Sequence, residues 1–199
     1  MPRPRTQEKR RLDLVEAALQ AGADRGLRSL SLADVARRAG LTRGAVLYYF
    51  DDLDDLLVEA HRAGIQRIGD QRDELVSAEA EPSRKLAVAI TSGLPTGPDD
   101  ALMRILYEFD VLAGSSELHD VLVQRMYQRQ AATYRDILAA GAEDGSFRLV
   151  GDIEETTMNF VALEDAYGLH IVAGNRLITV ERARAAMFAF ARQAGCPAA

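Results

Sequence analysis

Apolar residues recur at three- and four-residue intervals along nearly the whole chain, in Ala-, Leu- and Arg-rich stretches, and no run alternates as a half-buried strand would. The pattern predicts an all-α protein of about nine helices. The first is expected from about Thr6 to Arg25, where Leu12, Val15 and Leu19 keep helical spacing and Gly26 supplies a stop. Ser31 stands just ahead of LADVARRAG, placed to cap a short helix that Gly40 ends, and Thr42 caps the next piece, RGAVLYYF. Only Gly40-Leu41-Thr42 separates the two, which is the length and chemistry of a helix-turn-helix joint.

Further helices are expected after Asp51-Asp52 to about Ser77, from Pro82, and over roughly 99–113, 117–142, 153–173 and 179–194. The segment Ser92 to Pro98, with two prolines and two glycines, reads as the clearest loop. These elements divide into a three-helix N-terminal domain, residues 1–50, and a larger helical domain, residues 51–199.

Within RGAVLYYF the spacing is polarised. Val46 and Phe50 lie four apart on one face, whereas Gly44 and Tyr48 lie on the other with no apolar neighbours to pack against. Arg43 can reach a guanine edge or a phosphate, and Thr42 can bond a phosphate through its hydroxyl. Gly44, with no side chain, lets a duplex come close. Each residue taken alone also fits a plain structural role: Thr42 as a cap, Gly44 as tolerated, Tyr48 and Tyr49 as half-buried core.

Charge sharpens the choice. The net charge of −6 conceals a basic head, since residues 1–50 hold ten Lys/Arg against five Asp/Glu, on a body with a balance of −11. A head that meets phosphate and a body that does not fits this division. With 48% apolar residues and no long apolar run, no membrane span is expected. The basic start lacks the apolar stretch of a secretory signal, and the single cysteine, Cys196, excludes an internal disulfide. A cytoplasmic location is expected.

The stretch SLSLADVARRAGLTRGAVLYYFDDLDDLLVEA resembles the N-terminal domain of the TetR family of transcriptional regulators, whose recognition helix typically reads Gly-Val-Ser-Lys-Gly-Thr-Leu-Tyr-His-Tyr-Phe. The resemblance implies that Thr42, Arg43 and Gly44 meet the major groove with Tyr48 beside them. It puts Tyr49 at the aromatic position that touches phosphate and Ser31 at the hydroxyl position that starts the second helix. Arg3 and Arg5, on a proline-flanked arm, can enter the adjacent minor groove or be disordered ballast. Leu47 replaces a frequent tyrosine of the family, and Leu53, surrounded by four aspartates, a frequent lysine. A phosphate footprint shifted toward the first helix and the arm, with fewer charge contacts and a shallower salt dependence, is the expectation.

The resemblance implies a homodimer on a palindromic double-stranded DNA operator, because paired recognition helices about 34–36 Å apart read two half-sites. The last two helices form the family's dimer interface, and here Ala183, Ala186, Met187 and Phe190 keep the spacing for it. RILYEFDVLAG, the stretch from Glu117 to Arg148 and ALEDAYGLHIVAG are similar to the BetI-like C-terminal subgroup, which implies a cavity for a small-molecule effector. Met103, Tyr107, Met126, Phe160, Glu164 and Tyr167 are its candidate lining. Glu108, Asp110, Glu164 and Asp165, among aromatics, can host a cation or be ordinary exposed acids. Repression relieved by the effector is the expected mode.

Against an enzyme, the Glu-x-x-His signature of a carboxylate metal bundle is absent, and His61, His119 and His170 have no partner spacing. Neither a phosphate-cradling glycine loop nor a nucleophile motif appears. No catalytic residues, metal or cofactor are expected.

Overall fold

The computed structural model describes residues 4–114 and 116–197. All regular structure among these residues is helical. α1 (Pro4–Arg25) opens on a proline in its first turn, where a missing N–H leaves no helical bond unmade. Arg5 therefore lies on a helix and not on the arm expected ahead of Thr6, while Arg3 falls outside the described residues. The buried stripe of α1 is Leu14, Val15, Ala18 and Leu19; Leu12, expected on it, faces outward.

A 3-10 turn, Leu27–Ser29, leads to α2 (Leu32–Arg38) and α3 (Arg43–Val46). Gly26 and Gly40 have φ of 78° and 67°, the left-handed conformation that only glycine adopts without strain, so each ends its helix where the sequence places a stop. α3 is shorter than the RGAVLYYF stretch suggests. Past Val46 the backbone tightens, with the Tyr49 amide donating to Val46 O at 2.9 Å in an i to i+3 bond.

The chain continues through α4 (Leu53–Ser77), α5 (Pro82–Gly93), α6 (Ala101–Ala113), α7 (Glu117–Asp144), α8 (Ile153–Val172) and α9 (Val180–Gln193). Asp52 caps α4 by accepting the Asp55 amide at 2.9 Å, and the Asp55 carboxylate accepts the Asp51 amide at 3.2 Å. Two of the four aspartates around Leu53 thus satisfy backbone donors at the positive end of the helix dipole.

The chain forms two compact units: Met1–Gln66 with Ala101–Val123, and Arg67–Asp100 with Gln124–Ala199. In the first, α1 packs on α2 and α6. A side chain at Gly22 would collide with Ile105, a close approach that only glycine allows. In the second, α9 packs on α5 and α8 around a core that includes Leu86, Ile90, Tyr134, Phe160, Ala183 and Met187.

Candidate nucleic-acid interface

Two caps set the helix-turn-helix. The Ser31 hydroxyl donates to Asp34 Oδ2 at 2.6 Å and accepts the Asp34 amide at 3.3 Å, while Asp34 Oδ2 also accepts the Ser31 amide at 3.1 Å. This closed capping box uses the only hydroxyl proton Ser31 has. Arg25 and Arg37 approach the Asp34 carboxylate at 3.3 and 3.2 Å. The Ser31 hydrogen bond, helped by these guanidiniums, holds the Asp34 carboxyl below its ordinary range.

Thr42 is arranged differently. Its Oγ1 accepts the Ala45 amide at 3.2 Å, which caps α3 but leaves the hydroxyl proton without a partner among the described residues. One oxygen therefore starts the helix and still has a donor for a phosphate.

α3 is held from beneath. Val46 and Phe50 are 0% and 2% exposed, and burying two such side chains stabilises the seat by about 1.5–3 kcal/mol each. Arg11 of α1 lies 4.3 Å over the Phe50 ring and donates to Tyr49 O, so cation and hydrogen bond together fix the end of the turn. Gln7 donates to the Tyr48 hydroxyl at 3.2 Å, and the Tyr48 and Tyr49 rings meet edge to face at 5.0 Å. Sequence reasoning missed Gln7 and Arg11, because helical spacing says nothing of which α1 residues cross α3.

The opposite side is open. Thr42, Arg43, Gly44, Leu47 and Tyr48 are exposed, Tyr48 by 68%, and Tyr49 is half-buried. A Cβ at Gly44 would meet nothing within 4 Å, and Arg43 has no ion-pair partner among the described residues. The structure thus presents together a free guanidinium, a free hydroxyl, a bare backbone and a phenol on one seated turn.

Residues 14–60 match the family model for bacterial regulatory proteins of the tetR family. This N-terminal domain is therefore of the TetR type. It is similar to the HTH-type transcriptional regulator PksA of Bacillus subtilis, 24% identical over 176 residues that cover 85% of this chain and 82% of that one. The HTH-type transcriptional regulator BetI of Pectobacterium carotovorum is 31% identical over 131 residues, 64% of this chain and 65% of that protein. Among solved structures, a transcriptional regulator from Saccharomonospora viridis in complex with choline shares the fold, with a TM-score of 0.87, 22% identity and coverage of 93% and 96%.

The body departs from the sequence expectations in its details. Ala183 and Met187 are wholly buried in the chain's own core, so they cannot form a dimer surface; α9 turns that face inward against its neighbours in the unit. Phe190 is half-buried and meets Phe160 edge to face at 4.9 Å, and Ala186 is half-buried. The outward stripe is on α8, where Met158, Ala162, Ala166 and Leu169 are exposed.

Of the six residues expected to line a cavity, Met103 and Tyr107 are half-buried on α6 in the first unit. Met126, Phe160, Glu164 and Tyr167 belong to the second. Phe160 is core, stacked on Tyr134 at 4.8 Å. Glu164 is engaged by Arg72 at 2.7 and 2.8 Å, by the Tyr134 hydroxyl at 2.5 Å and by Gln130 at 2.7 Å. Glu108 is occupied too, accepting the Leu27 amide at 2.6 Å. Burial pushes the Asp165 carboxyl up to about 6, which weakens its claim as an anion for a cation.

Two histidines that the sequence leaves apart come together in the first unit. His61 of α4 and His119 of α7 are fully buried, with Nδ1 atoms 2.9 Å apart, and His61 stacks on Phe109 of α6 at 4.5 Å. Burial lowers both; His61, with its neighbour's ring adding to the effect, falls to about 3.

Proposed function

We propose that this regulator is a homodimeric repressor that grips a palindromic DNA operator through α3 and releases it when a small molecule binds its body. The observation that carries this reading is the polarised α3 turn, seated by Val46 and Phe50 and open at Thr42, Arg43, Gly44 and Tyr48. Arg43 is the residue for a guanine edge, Thr42 and Tyr49 serve phosphates, and Tyr48 and Leu47 offer apolar contact to bases. Ser31 contributes to phosphate binding only if its capping box opens, so its part is chiefly to fix α2. Arg3 and Arg5 extend the contact toward the minor groove.

Two copies are needed because one short turn reaches few base pairs. The dimer surface we assign is the α8 stripe of Met158, Ala162, Ala166 and Leu169, with Ala186 of α9; its small and large residues suit close helix pairing. Residues 1–50 act as the reading head and 51–199 as the sensing and dimerising body. Relatives named as regulators, and a structural neighbour holding choline, support an effector-responsive regulator. Because Glu108 and Glu164 are already bonded, a cation box built on them is not the favoured seat for the effector.

Release follows as a population shift, in which the effector binds better to a dimer whose α3 turns are wrongly spaced for successive major grooves. Sequencing genomic fragments retained by the purified protein tests the proposal. A palindromic consensus is expected; retention without sequence preference would overturn it.

A further inference from the structure

One face of α1 reaches the reading turn at two points. Gln7 and Arg11 stand four apart on that helix. Arg11 donates to Tyr49 O and lies over the Phe50 ring, and Gln7 donates from Nε2 to the Tyr48 hydroxyl oxygen at 3.2 Å. The Tyr49 ring, edge to face with Tyr48 at 5.0 Å, braces the same phenol.

The direction of the Gln7 bond matters more than its strength. A phenol hydroxyl can give a hydrogen bond or take one. With the Gln7 N–H on its oxygen, Tyr48 has its proton left to give, and that proton has no acceptor among the described residues. Tyr48 is 68% exposed and stands four residues beyond Gly44, where a side chain would meet nothing within 4 Å. The donor thus projects from the side of the turn that the bare backbone opens to a duplex.

In the major groove guanine offers N7 and O6, adenine N7 and thymine O4 as acceptors, whereas cytosine offers only its N4 amino donor. A phenol that has only a proton to give finds a partner on the first three and a second donor on the last. We propose that Gln7 is a positioning residue that fixes the polarity of Tyr48, so that its hydroxyl selects guanine, adenine or thymine and rejects cytosine at one base position of each half-site. This rests on the reading of α3 as the DNA-contacting turn, and it adds a directional hydrogen bond to the apolar contact assigned there to Tyr48. A phosphate would take the same proton without reading sequence, so the measurement that decides is base preference and not affinity.

Selection from a library of random-sequence duplexes by the full-length protein, with base frequencies counted at every bound position, tests this. Wild type is expected to show one position per half-site at which cytosine is depleted. Tyr48→Phe should lift that depletion by about fivefold, the worth of one net hydrogen bond, and leave the other positions as they are. Gln7→Glu keeps the side-chain length but presents only acceptors at neutral pH, so it takes the phenol proton and leaves the Tyr48 oxygen to accept; cytosine should then be favoured at that position. Gln7→Met, with no N–H to give and no charge, should leave the bases there nearly even. In a Tyr48→Phe background Gln7→Glu should no longer change that position, whatever its added charge does to affinity for all sequences. Gln7 is half-buried and Tyr48 exposed, so all these variants should keep wild-type helicity and melting temperature. Base frequencies unaltered by Gln7→Glu, or an affinity loss in Tyr48→Phe spread evenly over all sequences, would overturn the proposal. A wild-type protein that selects no sequence fails the regulator reading and this inference with it; a palindrome whose preferences ignore Gln7 fails this inference alone.

Discussion

Arg72 and Glu164 meet in a two-pronged ion pair at 2.7 and 2.8 Å, closed off from water, and the Glu164 carboxylate fills the space that a side chain at Gly93 would need. A Cβ at Gly93 would fall 2.2 Å from Glu164 Oε2. Glu164→Ala, which strands a buried guanidinium, is expected to destabilise the fold by about 3–5 kcal/mol in urea unfolding. Gly93→Ala should cost about 1–3 kcal/mol by crowding the same carboxylate. Unchanged unfolding midpoints in both variants would show that the pair is not the clamp it looks.

The proposed dimer surface separates two faces of adjacent helices. Introducing Met158→Glu and Leu169→Glu together should leave helicity intact and convert dimer to monomer in sedimentation velocity. Met187→Glu should instead unfold the chain, since Met187 has no exposed surface. A dimer that survives the α8 charges would move the interface elsewhere.

Stability should fall with acid in a way traceable to His61. Its folded pKa of about 3 lies below the ordinary 6.5, so the folded state resists protonation and the stabilisation is complete above pH 6.5. It drains away between pH 6.5 and about 3, by about 1.4 kcal/mol per pH unit at full slope. Asp165 acts in the opposite sense, because its raised pKa of about 6 favours folding with the proton on and loses that contribution as pH rises from 3.8 toward 6. The comparison of wild type with His61→Phe isolates the histidine: urea midpoints at pH 7 and 5 should differ less in the variant. An equal difference would remove His61 as the cause.

Salt should weaken operator binding gently. On the reading face Arg43 has no ion-pair partner among the described residues, Asp34 already engages Arg25 and Arg37, and the start of α4 carries aspartates where a lysine would meet phosphate. A log–log slope corresponding to fewer than about ten released counterions is expected, and a steeper slope would contradict a sparse footprint.

Much of this was written in local pattern. Gly26, Gly40, Ser31, Thr42, Asp52 and Pro82 are short-range signals, because caps and left-handed turns depend on neighbours a few residues away, and each sits at a helix end in the structure. The polarity of the turn was legible for the same reason, since Val46 and Phe50 share a face whatever they pack on. Residues that depend on distant partners were not. The face of α9 holding Ala183 and Met187 looks alike whether it meets its own core or a second subunit, and only packing decides. His61 and His119, 58 residues apart, meet because α4 and α7 bring them together. Arg72 and Glu164 left a fainter trace: each stands on the buried stripe of its helix, Arg72 in register with His61 and Gly64, Glu164 with Phe160 and Ile171. Their pairing, across 92 residues, only the packing of the helices shows.

The bare backbone at Gly44 allows the cleanest separation of folding from reading. Because a side chain there meets no atom of the protein within 4 Å, Gly44→Leu should fold with an unchanged melting temperature while standing where a duplex must come close. Titration of a retained genomic fragment by this variant and by wild type should show binding lost by at least about a hundredfold, the equivalent of a few kilocalories of excluded contact. Full affinity in a folded Gly44→Leu protein would mean that DNA approaches some other surface, and the polarised turn would no longer explain recognition.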